Sequence, residues 1–139
     1  MKKGLLLLAV VILLSSCNSD DDSNGNIFGN WVLTTMYGGT PNITLTGTDM
    51  EWQESYQLNT DGTFLKSREH DGIITEASGT YVIYVSQDGQ SLELFFDNDS
   101  EIIASCNNLI EYMIFQSETS FNSTWLACDG TGLSYEKLN

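Results

Sequence analysis

Four turn sequences in which Asp precedes Gly divide the chain, and they constrain its fold more than any other feature. They are Thr60-Asp61-Gly62, His70-Asp71-Gly72, Asp88-Gly89 and Asp129-Gly130. Asp and Gly supply the positive φ angles that tight hairpin turns require. The runs between these turns are short and rich in Val, Ile, Thr, Tyr, Phe and Trp, which is typical of strands. The sequence therefore predicts an all-β chain whose neighbouring strands pair antiparallel.

Nine strands are expected after residue 27, near 31–37, 52–59, 63–69, 79–85, 91–97, 101–105, 109–116, 121–127 and 133–138. A sheet that closes on itself has no exposed edges. About eight or nine meandering strands therefore favour a small antiparallel up-and-down barrel, and a flatter sandwich is the alternative. The only proline, Pro41, lies in the segment 38–42, which is a candidate lid over one barrel mouth.

The composition excludes two classes of protein. The chain has 19 acidic and 5 basic residues, a formal net charge of -14. Binding to DNA or RNA requires clustered Lys and Arg, so nucleic acid is excluded as the main partner. The hydrophobic content of 41% also excludes a globally disordered chain. A length of 139 residues corresponds to one folded domain.

The first residues have the three zones of a secretion signal. Lys2 and Lys3 precede the apolar run 5–14, and small residues follow in Leu14-Ser15-Ser16-Cys17. The apolar run is shorter than the roughly 20 residues that span a membrane. This pattern resembles the lipobox of bacterial lipoprotein precursors. The resemblance implies that the signal peptide 1–16 is removed and that Cys17 carries a diacylglycerol and palmitate anchor, so the chain is anchored to a membrane without spanning it.

Residues 17–26 form the expected connection between lipid and domain. They contain no apolar side chain to bury apart from Cys17, which predicts a flexible acidic tether. Within it, Ser19-Asp20-Asp21-Asp22 is similar to the acidic export signal of Bacteroidota surface lipoproteins. This similarity implies an outer-membrane location and exposure at the cell surface, with a periplasm-facing protein as the alternative.

If Cys17 is lipidated, Cys106 and Cys128 remain as an even pair in an oxidising compartment, which predicts a disulfide. The spacing supports the bond. A chain reversal near Ser117 places the two cysteines eleven residues from the turn on either side, because 117 - 106 and 128 - 117 are both 11.

The part of the chain from 27 to 139 resembles the lipocalin-like domain family of Bacteroidota lipoproteins. Gly29-Asn30-Trp31 matches the Gly-x-Trp start of lipocalins, and further similarity lies in 56–64, 78–81, 128–130 and 135–138. Gly29 and Trp31 are therefore the expected fold signature, and the resemblance implies a lipocalin-like barrel. The sequence departs from full lipocalins because it leaves no room for a C-terminal helix and has no late arginine to stack on Trp31. Trp31 is accordingly expected to plug the closed end of the barrel.

No group of residues indicates catalysis, so we expect a protein that is not an enzyme. His70 is the only histidine and is expected to be an exposed turn residue, and no motif surrounds a serine. The segment 97–101 has oxygen ligands at alternate positions but lacks the glycine and the full ligand set of a calcium loop, which favours a solvated turn. We expect neither a metal site nor a cofactor. A hydrolase acting on glycans or lipids is the least favoured class.

Two functions remain at this stage. The first is binding of a small apolar or amphipathic ligand inside the barrel, since eight strands are about the fewest that can enclose one. The aromatic candidates for ligand contact are Trp52, Tyr84, Tyr112 and Trp125. The second is a protein-interaction or accessory module of the cell surface with a filled barrel and no small-molecule ligand. In both cases the lipid on Cys17 makes the membrane a partner.

Overall fold

The computed structural model describes residues 26–139. The predicted signal peptide, Cys17 and the tether as far as residue 25 lie outside the described residues. The described part contains nine strands: β1 Gly29–Gly38, β2 Ile43–Thr46, β3 Gln53–Leu58, β4 Thr63–His70, β5 Ile73–Ser86, β6 Gly89–Phe96, β7 Ile110–Ser117, β8 Ser120–Ser123 and β9 Gly132–Lys137. Its helices are two 3-10 turns, Gly47–Asp49 and Trp125–Cys128, and none has the length and apolar character needed to cross a bilayer.

The strands form a closed eight-stranded antiparallel barrel with one extra strand, which confirms the predicted fold class. Consecutive strands from β3 to β9 pair as a meander, and β9 pairs with β1 to close the sheet. The extra strand is β2. It pairs with the second half of β1, whereas β3 pairs with the first half.

Antiparallel pairing makes the strand connections alternate between two ends of the barrel. We call one end the closed end, because it carries three short connections and the start of the described chain: 59–62, 87–88, 118–119 and 26–28. We call the other end the mouth, and it carries longer segments and one tight turn: 39–52, 71–72, 97–109 and 124–131.

Three of the four predicted turns join neighbouring strands. Asp61 fixes the first of them, because its carboxylate accepts hydrogen bonds from the backbone N–H and the hydroxyl of Thr63. These bonds hold the pKa of the Asp61 carboxyl below its usual value. The fourth turn differs from the prediction. Asp129, at φ 68°, ends the 3-10 helix Trp125–Cys128 instead of joining two strands directly.

Other strand predictions need correction. The expected strand 101–105 is a loop, whose alternating Ile102 and Ala104 are buried under the mouth instead of on a sheet face. The expected strand 121–127 ends at residue 123, and β2 replaces part of an expected loop. β5 begins six residues earlier than predicted, and all six of these added residues pair with β4.

Aromatic and aliphatic side chains fill the closed-end half of the barrel. The Trp31 side chain is fully buried, donates its indole N–H to the Ile27 carbonyl at 2.8 Å, and packs 4.5 Å from the Phe121 ring. The structure thus confirms that Trp31 plugs the closed end.

The barrel wall is tightly packed at Gly79, where a Cβ would lie 1.8 Å from the Phe95 carbonyl oxygen. Only glycine allows the two strands to approach this closely.

Candidate functional site

Four charged side chains lie inside the barrel, on the mouth side of its aromatic core. The Lys66 ammonium is 2.7 Å from a Glu111 oxygen and 3.1 Å from a Glu54 oxygen. Arg68 donates its Nε–H to the other Glu54 oxygen at 2.5 Å. The hydroxyls of Tyr56 and Tyr135 donate to Glu111 and Glu54 respectively. We call these six residues the charged network.

Strand periodicity explains why charges are inside. Successive side chains of a strand alternate between the two faces of the sheet. On β4 the inward face is shared by Phe64, Lys66 and Arg68, and β3 and β7 contribute Glu54 and Glu111. Burying a charge is costly unless it is paired and hydrogen-bonded. Here two cations meet two carboxylates, so the network is formally neutral.

Burial in the charged network raises the pKa of both of its tyrosines. Burial, followed by the nearby Glu111 carboxylate, raises the pKa of Tyr56 well above its ordinary value. Burial and then Glu54 raise the pKa of Tyr135 in the same way. Both hydroxyls therefore stay protonated and donate to the carboxylates at neutral pH.

The loop 97–109 covers the charged network. Its Ala104 N–H donates to a Glu111 oxygen at 2.6 Å, and its Ile102 carbonyl accepts a hydrogen bond from Arg68 at 3.2 Å. Ile102 and Ala104 are buried as a result. Side chains thus occupy the interior position in which the sequence led us to expect a small ligand, and open space lies in the mouth above them.

The first opening in the mouth is a cleft of about 390 Å³, which we call the polar cleft. Two tryptophans, Trp52 and Trp125, line it together with the acidic residues Glu51, Asp71 and Glu101 and with Arg68, His70, Ile73, Thr75 and Ile102. The Arg68 guanidinium lies 4.2 Å from the Trp52 ring. Trp52 is 8% exposed, and its indole N–H has no hydrogen-bond partner among residues 26–139.

The second opening is a cleft of about 320 Å³ on the β1–β2 side of the mouth, which we call the apolar cleft. Aliphatic and aromatic side chains and two glycines line most of it: Met36, Tyr37, Gly38, Gly39, Ile43 and Leu45. Residues 129–131 and Glu51 complete the lining, and Glu51 lines the polar cleft as well. Trp125 packs on Gly130, where a Cβ would lie 2.3 Å from its ring, so this side chain stands between the clefts.

The predicted disulfide between Cys106 and Cys128 is present and joins two segments of the mouth. Cys106 lies in the loop that covers the charged network, and Cys128 ends the 3-10 helix that carries Trp125. The bond therefore ties the covering loop to a wall of the polar cleft.

Replacing both Cys106 and Cys128 by alanine is expected to lower the free energy of unfolding by about 3 kcal/mol, because the unfolded chain regains the entropy of a closed loop of about 22 residues. Urea denaturation of the oxidised protein and of the variant measures the difference. Treatment of the unmodified protein with a reductant should reproduce it. A loss below about 1 kcal/mol in both experiments would contradict the expected stabilisation by the bond.

No family model, curated protein or solved structure matches the chain. Function is therefore inferred from the geometry of the mouth.

The structure separates the four aromatic candidates into two pairs. Trp52 and Trp125 lie together in the polar cleft, whereas Tyr84 and Tyr112 lie on the outer surface of the barrel wall. His70 is exposed at the rim of the mouth, as expected. The expected solvated hairpin turn at 97–101 is absent, because these residues begin the longer loop 97–109 between β6 and β7. Residues 26–139 contain no group of three or more His, Cys, Asp or Glu arranged to hold a metal ion.

Four charged lining residues were not among the sequence candidates for ligand contact: Glu51, Arg68, Asp71 and Glu101. Glu51 and Glu101 lie in loops, where side-chain direction has no period that a sequence reveals. Arg68 did carry a signal, because it alternates with Phe64 and Lys66 on a predicted strand.

Proposed function

We propose that the protein is a lipid-anchored lipoprotein of the outer membrane, exposed at the cell surface, whose lipocalin-like barrel binds a small amphipathic ligand in its mouth and not in its interior. The observation that carries the proposal is the pair of adjoining clefts above a filled core. A small closed β-barrel is consistent with a lipocalin-like fold. Binding sites of small molecules are typically concave and apolar with a few placed polar groups. The proposed role is binding without turnover.

The position of residue 26 relative to the mouth fits this role. Residue 26 lies at the closed end, opposite the mouth. Eight residues lie between Cys17 and Asn26, and the nine Cα–Cα steps of this stretch span about 30 Å at most. A lipid on Cys17 would keep the closed end near the membrane, so the mouth would open away from it.

Ligand binding is tested with a neutral lipophilic fluorophore, N-phenyl-1-naphthylamine, added to the full mature chain carrying Cys17→Ser. We expect saturable enhancement of probe fluorescence, because the mouth offers an aromatic and aliphatic surface. Trp125→Ala should weaken binding about tenfold, the loss expected when about 1.4 kcal/mol of contact is removed. Tyr84→Ala, on the outer wall, is the matched control and should leave binding unchanged. Equal effects of the two variants, or a signal that does not saturate, would refute a site in the mouth.

Anchoring is tested separately in cells that express the full precursor. Cys17→Ser should abolish incorporation of labelled palmitate and release the protein from the membrane fraction. Replacing Asp20, Asp21 and Asp22 by asparagine should leave lipidation intact but reduce the fraction digested by protease added to intact cells. An unlabelled wild-type protein would reject the anchor, and unchanged digestion of the triple variant would reject the export signal.

A second candidate function is an interaction module of the cell surface, which the filled interior and an apolar outer wall favour. Val82, Tyr84 and Ile114 point outward and are 43%, 49% and 50% exposed. Val82 and Tyr84 lie on β5 and Ile114 on β7, on either side of β6, since Tyr84 pairs with Ser91 of β6 and Ser91 pairs with Ile114. A photo-crosslinking residue at position 84 should then capture one defined protein in intact cells, whereas the same residue at position 118 of the closed end should not.

A further inference from the structure

We propose that the mouth selects a cationic amphiphile, with an organic ammonium head in the polar cleft and an apolar chain in the apolar cleft. This inference rests on the proposed function and specifies the chemistry of its ligand. It follows from the distribution of charge in and around the mouth and from the way in which the two clefts adjoin.

The polar cleft has an acidic lining whose single arginine is already paired. Glu51, Asp71 and Glu101 line it, and no salt bridge pairs Glu51 or Glu101 with a basic side chain among residues 26–139. Arg68 lies at the base of the cleft, but its guanidinium is 2.5 Å from Glu54 and bonds to the Ile102 carbonyl. The lining therefore favours a positive ligand group over a negative one.

The charge on the rest of the surface also favours a positively charged ligand. Of the five basic residues in the chain, Lys2 and Lys3 precede the described part, and Lys66 and Arg68 belong to the charged network. Lys137 is thus the one lysine or arginine on the outside of the described barrel, and it lies at the closed end. An exterior with so large an excess of acidic side chains attracts cations over several ångströms and repels anionic amphiphiles.

Trp125 and Glu51 connect the two clefts chemically. The partly exposed Trp125 ring lines the polar cleft, and an aromatic face attracts an ammonium group. Glu51 lines both clefts, so a cation beside its carboxylate lies where an attached chain can enter the apolar cleft. In the apolar cleft, Ile43 and Leu45 of β2 lie on the same face of the sheet as Met36, which pairs with Leu45. The apolar cleft, with a volume of about 320 Å³, holds about ten non-hydrogen ligand atoms at roughly 30 Å³ each.

Calorimetric titration of the full mature chain carrying Cys17→Ser tests the inference with four probes below their micelle concentrations. Decyltrimethylammonium carries both head and chain, decyl sulfate reverses the charge, decyl maltoside removes it, and tetramethylammonium removes the chain. We expect decyltrimethylammonium to bind at one site, at least tenfold more tightly than each of the other three.

Variants of each cleft locate the interaction. Glu51→Gln combined with Glu101→Gln should weaken decyltrimethylammonium binding at least fivefold, whereas Glu118→Gln combined with Glu136→Gln, which removes the same charge from the closed end, should change it less than twofold. Ile43→Ser should weaken binding of decyltrimethylammonium but not of tetramethylammonium. Its matched control is Ile114→Ser, because both isoleucines are 50% exposed and Ile114 lies on the outer wall.

The outcomes separate the inference from the proposed function. If decyl maltoside binds in the mouth as tightly as decyltrimethylammonium, the cationic selection is wrong and the binding function stands. If the mouth and closed-end charge variants weaken binding equally, the acidic surface attracts cations without a site, and the inference is overturned. If neither the four probes nor the neutral fluorophore binds, both the inference and the proposed function are overturned.

Discussion

Lys66→Met is expected to lower the free energy of unfolding at neutral pH by about 3–5 kcal/mol, which is the usual effect of removing one partner from a buried ion pair. The methionine would fill most of the space of the lysine. Two buried carboxylates, Glu54 and Glu111, would nevertheless face each other without the ammonium that lies 3.1 Å and 2.7 Å from them. Urea denaturation of the variant and of the wild type at about pH 7 measures the loss.

A double variant distinguishes the lost charge from lost packing. Lys66→Met combined with Glu111→Gln removes one charge of each sign and leaves Glu54 paired with Arg68. We therefore expect the double variant to be more stable than Lys66→Met alone, by about 1 kcal/mol or more, since paired sites are not additive. A loss that the second substitution makes larger would assign the effect to packing.

The architecture could be predicted from the sequence because turns and strand periods are local properties. Asp61 and Asp71 mark tight connections, and the alternation of Leu92, Leu94 and Phe96 identifies an inward face on β6. β7 was ambiguous, since apolar residues lie on both of its faces. Only the pairing with β6 and β8 establishes that Glu111 and Met113 point inward.

The filled interior and the site in the mouth could not be predicted with the same rules. The alternation of side chains on β4 places Lys66 and Arg68 on the same face as Phe64. A charged side chain is not expected inside a barrel, however, unless a partner of opposite charge can be named, because burying an unpaired charge is costly. Those partners, Glu54 and Glu111, are 12 and 45 residues from Lys66 in the sequence. The hairpin of β3 and β4 brings Glu54 beside Lys66 and Arg68. Glu111 lies on β7 and reaches Lys66 across the interior of the closed barrel, which no local pattern encodes.

The loops of the mouth could not be predicted from local sequence patterns either. Ile102 and Ala104 belong to the run 101–105, whose two adjacent isoleucines are strong strand formers, and the sequence therefore predicts a strand there. They are buried because the loop folds over the charged network, held by Glu111 and Arg68. The two clefts result from this covering loop and from the extra strand β2, and the sequence predicted neither of them.

The second large expected effect is a steep loss of stability at alkaline pH. Tyr56 and Tyr135 keep their protons in the folded state, because burial and the adjacent carboxylates raise the pKa of each hydroxyl well above its ordinary value. In the unfolded chain both ionise near pH 10. Their contribution is thus fully present below pH 10 and decreases above it, by about 1.4 kcal/mol per tyrosine for each pH unit until the raised pKa is reached. The two losses add, so the combined slope above pH 10 is about 2.7 kcal/mol per pH unit.

Urea denaturation at several pH values between about 8 and 11.5 measures this slope. Tyr56→Phe and Tyr135→Phe are each expected to lower stability at pH 8, because a carboxylate loses a donor, and to remove roughly half of the additional loss above pH 10. Tyr84→Phe is the matched control, since this tyrosine is 49% exposed on the outer wall. Tyr81, whose pKa burial also raises, contributes in the same direction. If neither interior variant flattens the slope more than Tyr84→Phe does, the two buried hydroxyls do not hold their protons as the charged network requires.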